Sequence, residues 1–142
     1  NVVDFRAVED QVRELCARFN VQEIAFDPHL ARNMLNNLLE DGFPAVEMRQ
    51  GWVTMAPAVK ELERAIIGRR FRHGGHPVLR WNFANAVIDP GPTGDTARFS
   101  KAKSAEKIDG AVSAAMAISR AQASATGPSI FESDWIGNFS FA

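Results

Sequence analysis

The sequence predicts an α/β domain. Blocks of apolar residues at helical spacing are separated by short apolar runs closed by Pro or Gly. The blocks read helix, strand, helix, strand, helix, the order expected of parallel strands joined by crossover helices. The 142 residues suit one compact domain, and a hydrophobic content of 46% is enough for a sizeable core.

Asp4 is a helix cap ahead of Val8, Val12, Leu15, Cys16 and Phe19, which share one helical face over residues 6–19. That helix is expected to stop near Asn20. Residues 22–27 form a short strand anchored by Ile24 and Phe26 and stopped by Pro28. Leu30, Met34, Leu35, Leu38 and Leu39 continue with a helical period, and Gly42 fits the C-terminal cap. Residues 45–48 read as a second strand. A third helix is expected over 56–67, with Pro57 near its first turn and Val59, Leu62, Ala65 and Ile66 on one face.

After the loop His73-Gly74-Gly75-His76-Pro77, a short helix is expected over 78–85. The segments 86–89 and 97–99 flank a turn-rich stretch and read as a hairpin. The last firm helix spans 108–123, rich in Ala, Met and Ile. Beyond Ala123 the composition shifts to Ser, Thr, Gly and Pro. Residues 1–123 are therefore read as the domain and 124–142 as a flexible or partner-docking tail carrying Phe131, Trp135, Phe139 and Phe141. Val2-Val3 reads as a strand stub. The chain opens on Asn1 rather than Met, as a fragment would.

Charge is balanced overall, with a formal net charge of -1. The whole-chain balance therefore gives no argument for a nucleic-acid partner, although a local basic patch remains compatible with it. Positive charge is uneven. Arg64, Arg69, Arg70, Arg72 and Arg80 form one group, and Lys101, Lys103 and Lys107 another. Cys16 has no cysteine partner in the chain and is read as a core residue. No leader-like segment and no run of 18 apolar residues is present, so an intracellular protein without membrane contact is expected.

Two carboxylates stand where an α/β domain presents its active-site edge. Asp27 closes the first strand, and ligands in open α/β sheets gather beyond strand C-termini. Asp109 opens the last helix, where the helix dipole favours a carboxylate. Such groups hold Mg²⁺ or Mn²⁺, hard ions that prefer oxygen ligands, and paired ions can hydrolyse a phosphodiester. On spacing alone, Asp27 also reads as a turn aspartate and Asp109 as a first-turn charge. Two carboxylates fall short of the three or more usual for a two-metal centre. Glu47 is the next candidate, on the neighbouring strand, beside Asp4, Asp89 and Asp95.

His29 reads either as a substrate or metal contact or as part of the next helix's cap. His73 and His76 lack a completing Cys or Glu and read as loop residues. Lys101, Lys103 and Lys107 lead into Asp109 as a track for backbone phosphates or as an ordinary solvated face. Trp52 reads as a substrate-facing turn residue or as packing. No phosphate-cradling glycine loop with its lysine occurs.

Taken in order, these landmarks carry a resemblance: the helix 6–19, Phe26-Asp27-Pro28, Met48-Arg49-Gln50-Gly51, Lys60-Glu61-Leu62-Glu63, His73-Gly74-Gly75-His76-Pro77-Val78-Leu79-Arg80-Trp81 with Asn85, and Lys101 followed by Lys107-Ile108-Asp109-Gly110. Over residues 2–123 the chain resembles the C-terminal nuclease part of the large terminase subunit of tailed bacteriophages and prophages. The resemblance implies an RNase H-like nuclease fold with a mostly parallel central sheet flanked by helices. It implies an endonuclease that cuts concatemeric double-stranded DNA with Mg²⁺ or Mn²⁺ in the bacterial cytoplasm. A separate ATPase domain, the small terminase subunit and the portal would be its partners in the full protein.

By the same resemblance, Asp27 and Asp109 are the metal-binding and catalytic residues, and Lys101, Lys103, Lys107 and His29 contact DNA. One departure stands out. The family's first metal aspartate lies on an initial strand, and no residue here matches it, so the opening strands are expected to be missing. The alternative expectation is a catalytically incomplete prophage remnant that docks DNA or protein. A third is an α/β structural domain with no site of its own.

Overall fold

The structure, a computed structural model, describes residues 3–91, 94 and 96–125. Val2 of the expected strand stub, Pro92, Thr93 and Asp95 of the hairpin tip, and the tail aromatics lie outside the described residues. Five helices and four short strands follow in the order α1 (Phe5–Arg18), β1 (Ile24–Phe26), α2 (Pro28–Glu40), β2 (Ala45–Glu47), α3 (Trp52–Ile67), α4 (Pro77–Asn85), β3 (Ile88–Pro90), β4 (Ala97–Phe99) and α5 (Asp109–Ala125) among the described residues. The class is α/β, as the sequence predicts. The parallel pair is β1 with β2, in the register Ile24↔Ala45, Ala25↔Val46 and Phe26↔Glu47. The antiparallel hairpin β3–β4 forms a second two-stranded sheet, with Ile88↔Phe99 and Pro90↔Ala97 opposed.

The helix signals act as expected at most ends. The Asp4 carboxylate accepts the backbone N–H groups of Arg6 and Ala7 at 3.0 and 3.3 Å and starts α1. Helix α2 ends with Gly42 at φ +82, while Phe43 N–H reaches Leu38 O at 2.9 Å and Gly42 N–H reaches Leu39 O at 3.0 Å. That pair of bonds is a Schellman closure, which needs a left-handed residue and so favours glycine.

Two expectations are corrected. Helix α3 begins at Trp52, a full turn before residue 56, so Pro57 lies inside the helix rather than in its first turn. The N–H that Pro57 lacks would have bonded the Val53 carbonyl, and Val53 is 91% exposed, so that carbonyl can be hydrated instead. The expected core face of α1 is not buried either. Phe5, Val8, Leu15 and Phe19 are exposed, and Cys16 is half-buried. The buried residue of α1 is Glu9. Its carboxylate takes Asn37 Nδ2 of α2 at 3.0 Å and Arg13 Nη1 at 3.4 Å, and Arg13 also grips Asp41 at 2.5 Å. Periodicity tells which residues share a face, not whether another element covers it.

The main core lies where α3 and α5 meet, built from Met48, Met55, Ala58, Val59, Leu62, Ile108, Val112, Ala115 and Met116. Ala58 and Ala115 are completely buried and allow the two helices a close approach. Ala25 of β1 and Phe99 of β4 pack against the same cluster. The parallel pair and the hairpin are thereby fixed to one pair of helices. No helix among the described residues is long and apolar enough to cross a membrane.

Candidate active-site edge

Helix α5 meets strand β1 near the start of the strand. Near the start of β1, Glu23 is clamped by Arg120 of α5, with Arg120 Nη2 on Glu23 Oε2 at 2.9 Å and Arg120 Nε on the other oxygen. A cleft of about 420 Å³ beside this clamp is lined by Val21, Glu23 and Ala25 on one side and by Ser113, Met116 and Ser124 on the other. From the clamp, four strand residues climb roughly 13 Å to Asp27. Eleven helix residues climb roughly 16 Å to Asp109. Asp27 thus stands just beyond the end of β1 and Asp109 at the start of α5.

Asp27 has a structural duty there. Its Oδ1 accepts the backbone N–H of His29 at 3.1 Å and caps α2, with Pro28 as the first helical residue. His29 is exposed in the first turn, so its backbone is the capped group and the cap itself belongs to Asp27. The parallel ladder continues one step past β2, where Met48 N–H meets Phe26 O at 2.6 Å.

Asp109 is the first residue of α5 and its side chain is 66% exposed. Lys101 Nζ binds its Oδ1 at 2.8 Å. The hydrogen bond from Lys101, followed by the positive charges of Lys101 and Lys107, holds the Asp109 carboxyl below the usual range, although partial burial opposes this. Asp109 is therefore an anion at neutral pH. Its position is set by Asn82 of α4, which the sequence reading passed over between Trp81 and Phe83. Asn82 is buried; its Nδ2 donates to Val78 O at 3.0 Å and its Oδ1 accepts Gly110 N–H at 2.6 Å. A side chain from another helix thus caps the start of α5. A Cβ at Gly110 would lie 3.1 Å from both Asn82 Oδ1 and Leu79 Cδ1, so glycine permits this close approach. An Asn that satisfies a distant backbone leaves no local spacing to detect.

The three lysines have different partners. Lys101 holds Asp109, Lys103 Nζ holds Asp89 of β3 at 2.6 Å, and Lys107 is exposed beside the helix start. Lys101 joins two adjoining clefts. One, of about 340 Å³, includes Ser104, Lys107 and Asp109, and the other, of about 270 Å³, includes Gln50, Arg98 and Ser100. Gln50 follows β2 and Ser100 follows β4, so the edge gathers strand ends from both sheets. Trp52 is part of α3 and carries the Arg98 guanidinium 4.4 Å above its ring, a packing role rather than a free turn. Glu47 faces outward and pairs with Arg32 at 3.8 Å. His73 lies beside Phe71, with ring centroids 5.5 Å apart. Among the described residues, no group of three or more His, Cys, Asp or Glu converges.

Comparison with known proteins accords with this architecture. The family model described as terminase large subunit, endonuclease domain, matches residues 1–125. Protein YmfN of Escherichia coli (strain K12) is 32% identical over 120 residues, covering 84% of this chain and 26% of that protein. The large terminase subunit of Enterobacteria phage HK97 is 32% identical over 130 residues, covering 87% of this chain and 25% of the relative. The crystal structure of the HK97 bacteriophage large terminase superimposes with a TM-score of 0.74 at 32% identity, over 83% of this chain and 25% of that one. The chain thus spans about a quarter of the length of these relatives. With the family model matched through the end of α5, this chain belongs to the endonuclease-domain family of terminase large subunits.

Proposed function

We propose that this domain is a metal-dependent endonuclease of an RNase H-like fold, acting on concatemeric double-stranded DNA during viral genome packaging. The observation that carries the reading is a pair of oxygen donors, Asp27 just beyond the end of β1 and Asp109 at the start of α5, the latter joined through Lys101 to the cleft that Gln50 and Ser100 line after β2 and β4. Their donor set is oxygen only and includes one carboxylate held anionic, which suits Mg²⁺ or Mn²⁺. A bound divalent cation would supply charge for the scissile phosphate and lower the pKa of an attacking water. Asp27 would offer the oxygen not engaged in the helix cap. Asp109 would offer its carboxylate from the exposed start of α5. Lys101 and Lys107 beside Asp109, and His29 beside Asp27, would be the groups that contact a phosphate backbone. Lys103 reaches DNA only by leaving Asp89. In the full-length protein, the small terminase subunit and the portal are the proposed partners, in the bacterial cytoplasm.

A second reading rests on a specific observation. Two carboxylates without a converging third among the described residues fit a docking module that has lost catalysis. Nicking of supercoiled plasmid by the full chain, with Mn²⁺ or with EDTA, separates the two readings. Asp27→Asn and Asp109→Asn are the variants of choice, because Asn at position 27 keeps the helix cap. Cleavage lost with EDTA and in both variants supports the nuclease reading. Cleavage indifferent to both variants refutes the assigned site. A folded chain that binds DNA but never cuts it supports the docking module.

A further inference from the structure

Away from this edge, the second half of α3 forms an apolar groove with the β3–β4 hairpin. The groove holds about 340 Å³ and is walled by Leu62, Ile66, Ile67, Phe83, Ile88 and Phe99. Ile66, Ile67 and Ile88 are exposed, Ile67 to 75%. Helix α3 ends beside it in an unusual way. Gly68 keeps a negative φ, and the left-handed position falls on Arg69 at φ +55, while Arg70 N–H closes back onto Ala65 O at 2.8 Å. An arginine there costs about 1 kcal/mol relative to glycine. Arg69 and Arg70 have no recorded ion-pair partner among the described residues, whereas Arg64 is paired with Glu61. Glu63, on the groove wall, is the carboxylate an acidic occupant would have to avoid.

The chain carries a segment of matching chemistry. Residues 126–142 contain Glu132 and Asp134, no Lys or Arg, and the bulky apolar residues Ile130, Phe131, Trp135, Ile136, Phe139 and Phe141. The described chain ends at Ala125, and 17 further residues follow. Extended, they reach up to ~56 Å. A domain of this size has a radius of gyration of about 14 Å, so every face lies within that reach.

We propose that this groove is the docking site of the chain's own 130–141 segment, with aromatic side chains in the cavity and Glu132 and Asp134 against Arg69 and Arg70. The interaction is independent of the nuclease reading, because no groove residue belongs to the Asp27–Asp109 edge. Hydrogen exchange read by mass spectrometry on the full 142-residue chain, at low micromolar concentration, tests it. Amides of 130–141 are expected to exchange at least about tenfold more slowly than in a free peptide of that sequence. Ile67→Glu, at an exposed position, abolishes that protection while leaving α3 and α5 protected. Arg69→Glu with Arg70→Glu reduces it, as does Glu132→Lys with Asp134→Lys, and combining all four substitutions restores it. Free-peptide exchange in the unmodified chain overturns the proposal, as does protection that survives Ile67→Glu. Protection that appears only where sedimentation shows dimers also overturns it, by assigning the groove to a second copy.

Discussion

The Glu23–Arg120 clamp makes the sharpest test of how the edge is assembled. Replacing Arg120 with Met keeps the apolar stem and removes the guanidinium. Exposed ion pairs contribute about 0.2–1 kcal/mol, whereas breaking a buried pair costs about 3–5 kcal/mol. This pair is intermediate. Glu23 is 17% exposed and Arg120 39%, and the contact uses both carboxylate oxygens. A double-mutant cycle with Glu23→Gln is therefore expected to give a coupling of about 1–2 kcal/mol in urea unfolding. A similar cost of about 1–2 kcal/mol for Arg120→Met alone would lower Tm by roughly 3–7 °C in a domain of this size.

The pair also has a pH signature. The hydrogen bond from Arg120, aided by its charge, lowers the Glu23 pKa from its ordinary value of 4.5. A depressed carboxylate stabilises the fold fully above the unfolded-state value, and this stability disappears as pH falls through the folded-state value. The coupling should therefore be complete at neutral pH and fade below about 4.5. A coupling under about 0.3 kcal/mol at pH 7, or one unchanged in acid, would refute the claim that this pair holds β1 against α5.

Two further outcomes follow from the start of α5. Asn82→Ala leaves the Gly110 N–H without its partner and should cost about 1–3 kcal/mol in urea unfolding, with faster exchange at Gly110; an unchanged Gly110 amide would show that the cap is dispensable. Lys101→Ala removes the largest cause of the depressed Asp109 pKa, so that value should rise in an NMR pH titration while Lys107 maintains part of the depression. An Asp109 titration unmoved by the substitution would mean that the ion pair at 2.8 Å does not persist in solution.

The sequence is most legible where local chemistry decides the outcome. Asp4, Gly42 and Pro28 mark helix ends through their own backbone and side-chain preferences, and all three do so in the structure. The positions of Asp27 at a strand end and Asp109 at a helix start are legible because both are local features. Features that depend on distant partners were hidden. The apolar stripe of α1 looks like a core face, yet what meets α2 is the polar set Glu9, Arg13, Asn37 and Asp41. The start of α3 was missed because Gly51 provides no side-chain cap, and Pro57 inside the helix imitates a beginning. Asn82 and the Glu23–Arg120 clamp join residues 28 and 97 positions apart, beyond any pattern of spacing.

The helix-capping duty of Asp27 bears on how a decaying copy of such a gene would look. A position that starts a helix accepts Ser, Thr, Asn or Asp and penalises Ala by about 1 kcal/mol. Folding alone would thus keep a short oxygen-bearing side chain at 27 in a descendant that no longer cut anything. Asp109 is under no such constraint. Its helix is capped from outside by Asn82, and its ion pair with Lys101 is exposed and contributes little to stability. Drift would erase Asp109 first. On the proposed site, a related gene that keeps an aspartate at the first position but not the second is expected to have lost metal-dependent cleavage while keeping the α2 cap.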